Sequence, residues 1–92
     1  MKQPLKMADP VIADQVKVIR MNIQALRREK YYAQEYLANK LGISQNAYSK
    51  LEKGETMLSL ERVYLIAMIL EVNVEQLLQP KPFLTYTLST AS

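Results

Sequence analysis

One short segment of this 92-residue chain gathers hydrogen-bonding side chains at a regular spacing. Between Ser44 and Gly54, amide, hydroxyl and ammonium groups recur at steps of one and four residues. On an α-helix, residues with these steps share one face. We call this face the polar strip; its five residues are Gln45, Asn46, Ser49, Lys50 and Lys53. The strip contains no acidic and no β-branched residue.

The residue types of the polar strip suit the edges of DNA bases. Gln and Asn amides can pair with adenine N6 and N7, Ser can bond to several base edges, and Lys suits guanine acceptors or a phosphate. A helix that reads the major groove carries such groups towards its N-terminal end. The alternative interpretation is a solvated helix face without a ligand.

Apolar periodicity and capping residues predict five helices and an all-α fold. The first begins at Pro10 or nearer Lys17, has apolar residues at steps of three and four from Ile12 to Leu26, and ends between Glu29 and Tyr31. That stripe would pack on its own domain or form a helix-pairing seam. The other helices are predicted at Gln34–Leu41, Gln45–Lys53, Leu60–Leu70 and Val74–Leu78. The fourth is apolar almost all round, which predicts a place at the centre of the core.

A tight turn joins the second and third helices. The segment Leu41-Gly42-Ile43-Ser44 leaves about four residues for it, and Gly42 tolerates the positive φ that such a turn needs. Ala38 is small enough to lie where the two helices cross. The sequence therefore predicts a helix-turn-helix unit that presents the polar strip.

Composition excludes several functions and gives the chain an uneven charge. The absence of Cys and His rules out disulfides, a cysteine nucleophile and zinc sites built on those ligands. Residues 1–54 carry ten Lys or Arg and five Asp or Glu, whereas residues 55–92 carry two and four. A basic front fits a polyanion, although chance asymmetry is the plainer interpretation. Without a signal peptide or an apolar run of about 20 residues, we expect a cytoplasmic protein with no membrane partner.

The segment from about Ile23 to Leu78 resembles the lambda-repressor-like, Cro/XRE-type helix-turn-helix domain. The matching residues are Leu26-Arg27, Gln34, Leu37-Ala38, Leu41-Gly42-Ile43-Ser44, Ser49-Lys50-Leu51-Glu52-Lys53-Gly54, Ser59-Leu60-Glu61, Leu65, Ile69-Leu70-Glu71-Val72-Asn73-Val74 and Leu77-Leu78. The chain departs from the family pattern at three positions. Ala33 stands where a capping Ser or Thr is common, Tyr31 where Gly often ends the first helix, and the acidic Glu55 where many relatives carry a basic residue.

The resemblance implies a role for each matching polar residue. Base reading is implied for Gln45, Asn46, Ser49 and Lys50. Phosphate contact is implied for Gln34, and we extend it to Ser44 and Lys53. A structural ion pair is implied between Arg27 and Glu52.

These observations predict a small transcriptional regulator that binds double-stranded DNA in a sequence-specific way as a homodimer. Residues 17–79 would form the DNA-binding domain, residues 1–16 an N-terminal extension, and residues 80–92 a C-terminal tail. The tail is either frayed or a strand that pairs with a second copy. An alternative is a protein-interaction module, such as the DNA-binding antitoxin of a toxin pair, that binds a partner through its termini. No enzyme activity, catalytic residue, metal or cofactor is predicted.

Overall fold

The computed structural model describes residues 9–80, which form five α-helices. They are α1 (Pro10–Glu29), α2 (Gln34–Leu41), α3 (Gln45–Lys53), α4 (Leu60–Leu70) and α5 (Val74–Leu78). The predicted all-α fold is confirmed. The tail at residues 81–92, including the strand predicted there, lies outside the described residues.

The helices begin where the capping residues predict. The Asp9 carboxylate accepts a hydrogen bond from the Val11 N–H at 2.9 Å, the Ser44 hydroxyl accepts from Ala47 at 3.0 Å, and the Ser59 hydroxyl accepts from Arg62 at 3.1 Å. Each bond satisfies an N–H that has no partner inside its own helix. Asp9 and Pro10 therefore start α1 at Pro10, which answers the open question about its first residue.

All five helices contribute to one core. Its buried residues are Ile23, Leu26, Leu37, Ala38, Tyr48, Leu51, Val63, Ile66, Ala67, Leu70 and Leu77. In α1 the buried residues lie in the second half, whereas Val11 and Ile12 near its start are 61% and 42% exposed. The second half of the α1 stripe therefore packs on its own domain. The first half borders an open groove of about 520 Å³ between α1 and the loop that follows α3.

The prediction that α4 lies at the centre of the core is wrong for one of its faces. Val63, Ile66 and Leu70 are buried, but the opposite side chains stay in solvent. We call these the α4 apolar face: Leu60, Tyr64, Leu65 and Met68, which are 70%, 53%, 47% and 73% exposed. Within the described residues, α4 packs against α1, α2 and α5 on its buried side, and no helix covers the other.

The end of α5 is fastened to α1 by a buried amide. Asn22 is 5% exposed, and its Nδ2 donates to the Leu77 carbonyl at 2.9 Å and to the Gln79 carbonyl. The Leu77 carbonyl lies in the last turn of this five-residue helix and the Gln79 carbonyl just after it, so neither has a partner inside the helix. Within residues 9–80, no helix is both long and apolar enough to cross a membrane.

Candidate nucleic-acid interface

The polar strip lies on the outer face of α3. Gln45, Asn46, Lys50 and Lys53 are exposed and Ser49 is half-buried, while Tyr48 and Leu51 on the opposite face are buried. In the part of the chain that the structure describes, the side-chain hydrogen bonds at α3 belong to Ser44, Tyr48 and Glu52. The donors and acceptors of the polar strip are therefore available to a ligand.

A buried carboxylate anchors the inner face of α3. Glu52 accepts hydrogen bonds at Oε2 from Arg27 Nε and from the Tyr48 hydroxyl, both at 2.7 Å. At Oε1 it accepts from Arg27 Nη2 at 3.2 Å and from Gln34 Nε2 at 3.1 Å. We call these four residues the Glu52 network. It joins α1, α2 and α3, so it fixes the orientation of α3 relative to α1 and α2.

Burial makes this ion pair more than a surface contact. The Glu52 side chain is 1% exposed and that of Arg27 is 9% exposed. The Arg27 guanidinium also donates through Nη1 to the Tyr32 carbonyl at 2.8 Å, which holds the chain between α1 and α2. Arg27 is therefore occupied inside the domain, and we assign it no contact with DNA.

Charge and hydrogen bonding set the protonation states of the Glu52 network. Burial raises the pKa of Glu52, but hydrogen bonds from Arg27, Tyr48 and Gln34 outweigh it and hold the pKa below the ordinary 4.5. The hydrogen bond to Glu52 raises the pKa of Arg27. Burial and the bond to Glu52 raise the pKa of Tyr48, so its hydroxyl stays a donor at neutral pH. The network is therefore ionised as a carboxylate and a guanidinium.

The start of α2 offers a second set of donors. Ala33 precedes α2 and provides no side-chain cap, so the first N–H groups of the helix have no side-chain acceptor. Gln34 is half-buried beside them, with one amide hydrogen directed to Glu52. A primary amide has a second hydrogen and an acceptor oxygen. A phosphate contact of Gln34 is compatible with this geometry and stays a prediction, as does that of the capping Ser44.

Sequence reasoning missed Arg20, which supports the C-terminal end of α3 and the loop that follows it. Its guanidinium donates to the Leu51 carbonyl and, at 2.9 Å, to the Thr56 carbonyl. Its aliphatic stem lies 3.6 Å from the position that a Cβ on Gly54 would take. Arg20 precedes Arg27 by seven residues, or two helical turns, so the shared face was a signal that could have revealed it.

The structure shows where two residues that depart from the family pattern, Tyr31 and Glu55, are placed. Tyr31 takes the left-handed conformation itself, with φ at 61°, and its side chain is 94% exposed. The connection after α1 thus has a left-handed residue although no glycine is present. Glu55 is exposed just after α3, close in sequence to Lys53.

A sequence model of the helix-turn-helix family matches residues 23–77, which is more than half of the chain. The chain belongs to this helix-turn-helix family. The match agrees with the lambda-repressor-like, Cro/XRE-type resemblance and covers both the polar strip and the Glu52 network. Family membership makes the chain a DNA-binding protein, in a family of non-enzymatic domains. Searches of curated proteins and of solved structures found no match.

Proposed function

We propose that this helix-turn-helix protein is a transcriptional regulator that recognises a specific double-stranded DNA sequence. In this proposal α3 enters the major groove, and Gln45, Asn46, Ser49 and Lys50 contact base edges. Gln34, Ser44 and Lys53 contact phosphates and set the register of the domain on the duplex.

One observation carries the proposal: the polar strip is exposed on a helix whose opposite face is fixed. Base reading needs side chains held at a defined height and angle, because a bidentate amide–adenine pair tolerates little misalignment. Tyr48 and Leu51 bury the inner face of α3, and Glu52 ties it to α1 and α2. A solvated face without a ligand would not require this support.

A homodimer is part of the proposal, because a single recognition helix covers few base pairs. Two copies related by a two-fold axis would read two half-sites of an inverted repeat. We further propose that residues 17–79 form the DNA-binding unit and that the protein acts in the cytoplasm. The boundary after residue 16 falls inside α1, which runs unbroken from Pro10.

Selection of binding sites from random duplexes tests sequence recognition directly. We expect an enriched motif, and we expect Gln45→Ala or Asn46→Ala to lower its affinity by about 1–3 kcal/mol while relaxing the preference at one or two base pairs. Lys53→Ala should weaken binding to all sequences alike and flatten the salt dependence. Gln15→Ala removes an amide from an exposed position on α1 and serves as the control.

Two results would contradict the proposal. Selection without an enriched motif, with binding that disappears at moderate salt, would mean that the protein binds DNA only through charge. Identical behaviour of Gln45→Ala and Lys53→Ala would mean that the division into base-reading and phosphate-binding residues is incorrect.

A further inference from the structure

The α4 apolar face is an apolar surface that the described residues leave without a partner. Leu60, Tyr64 and Met68 follow one another at steps of four, and Leu65 lies beside them. Each keeps about half or more of its surface in solvent. Burial in the monomer therefore does not account for four large apolar side chains on one helix face, since the fold uses only the opposite face of α4.

We infer that the α4 apolar face binds the same face of a second copy of this chain, so that two α4 helices pack antiparallel. The inference rests on the proposed function for its purpose, since a two-fold pair is what an inverted-repeat site requires. It adds the surface that makes the pair, which no residue of the polar strip or the Glu52 network provides.

The size of the α4 apolar face suits a weak symmetric dimer. From their exposed fractions, its four side chains present roughly 500 Å² of surface. This area is within the range of the largest apolar patch on an ordinary monomer, and such a patch is often a functional surface. Two such faces together would bury about 1,000 Å², the lower limit for a specific interface. We therefore expect a dimer with a micromolar Kd that two adjacent half-sites stabilise further.

The arrangement of the side chains fits a two-fold axis. In an antiparallel pair centred on Tyr64, the residue four positions before the centre meets the residue four positions after it on the partner. Leu60 would thus pack on Met68 of the other copy and Met68 on Leu60, which pairs the two most exposed side chains of the face. Glu61 lies on the same side of α4, beside Tyr64 and Leu65. It stands three positions before the centre, so the two Glu61 carboxylates of the pair lie on opposite sides of the axis, six residues or roughly 9 Å apart along the helices, and do not oppose each other directly.

Single cysteines test this geometry cleanly, because the chain has no cysteine of its own. Tyr64→Cys would place two thiols near the axis, where helices 8–10 Å apart bring facing residues within disulfide range. Under mild oxidation at about 100 µM, above the expected Kd, we expect most of the full-length chain to become a covalent dimer. Met21→Cys, at a 58% exposed position of α1, should give only the background level. Equal cross-linking of the two variants, or none for Tyr64→Cys, would overturn the inference.

A charge on the face tests the same pair without cross-linking. Met68→Lys and Met21→Lys make the same substitution on exposed helix positions and add the same charge. We expect Met68→Lys to lower the dimer fraction by sedimentation and to weaken binding to a two-half-site duplex at least about 10-fold, with binding to one half-site unchanged. Met21→Lys should match the unmodified protein.

The outcomes separate this inference from the proposed function. If no variant selects a DNA sequence but Tyr64→Cys still cross-links and Met68→Lys is monomeric, the proposed function fails and the α4 pairing stands. If sequence selection succeeds while Met68→Lys remains fully dimeric, the pairing surface is wrong and the function stands. A monomer for every variant, including the unmodified chain at about 100 µM, would likewise overturn the α4 pairing.

Discussion

Replacing Glu52 by glutamine should cause a large loss of stability. The substitution keeps the volume of the side chain but removes its negative charge. Arg27, 9% exposed, would then hold a positive charge in the interior without a counter-ion. Breaking a buried ion pair in this way typically costs about 3–5 kcal/mol. Because the glutamine oxygen can still accept hydrogen bonds, we expect the lower end, about 3 kcal/mol, from a domain whose whole stability is about 5–15 kcal/mol.

Urea unfolding followed by circular dichroism measures this loss. With an m-value of about 1 kcal/mol per molar urea for a small domain, the midpoint should fall by roughly 3 M, or the variant should be partly unfolded without urea. Arg27→Met and the double variant Arg27→Met/Glu52→Gln complete a cycle with Glu52→Gln. Since the double variant leaves no unpaired charge, its loss should be smaller than the sum of the single losses by at least about 2 kcal/mol.

Additive losses would refute this reasoning, because they would mean that Arg27 and Glu52 act independently. A loss below about 1 kcal/mol for Glu52→Gln would place the pair with ordinary surface salt bridges. Glu35→Gln, on the exposed side of α2, removes one carboxylate charge outside the network and should change stability by less than about 0.5 kcal/mol.

Two further predictions concern the pH dependence of stability and the residues with a left-handed backbone conformation. Since the pKa of Glu52 in the folded state lies below 4.5, its contribution to stability is present above that pH and is lost as pH falls through the lower folded value. Urea unfolding at a series of pH values should therefore show a shallower acid dependence for Glu52→Gln. Gly42 has a φ of 73° and Tyr31 one of 61°, a left-handed conformation that costs a residue with a Cβ more than it costs glycine. Gly42→Ala should therefore lower the free energy of unfolding by about 1 kcal/mol, and Tyr31→Gly should raise it by a similar amount. Equal signs for these two substitutions would contradict the backbone argument.

Helix ends were predictable because local chemistry decides them. Ser44 and Ser59 provide side-chain caps, and Gly42 and Gly54 follow helices in left-handed conformations. The bounds of α2, α3, α4 and α5 agree with those predicted from the sequence. The exposure of the polar strip was also predictable, because helical periodicity places it on the face opposite Tyr48 and Leu51.

Features that depend on neighbours distant in sequence were not predictable. The composition of α4 does not reveal that its neighbours among the described residues cover only one of its faces, so the solvent exposure of Tyr64 and Met68 was missed. Arg20 resembles any basic residue of a helix until the Leu51 carbonyl, 31 positions away, is placed beside it. Tyr31 gives no local sign of a positive φ, because left-handed residues are usually Gly, Asn or Asp.

Gln34 links the inner support of α3 to the outer surface. Its amide donates to Glu52 from the first residue of α2, next to N–H groups that lack a side-chain cap. A phosphate bound there would meet an amide whose orientation is already fixed, so little side-chain entropy would be lost on binding. The same phosphate would then be joined through Glu52 to the helix that carries Gln45 and Asn46. Contact with the DNA backbone and the angle of α3 in the groove are therefore expected to depend on one carboxylate, and a substitution at Glu52 should disturb binding even where the domain remains folded.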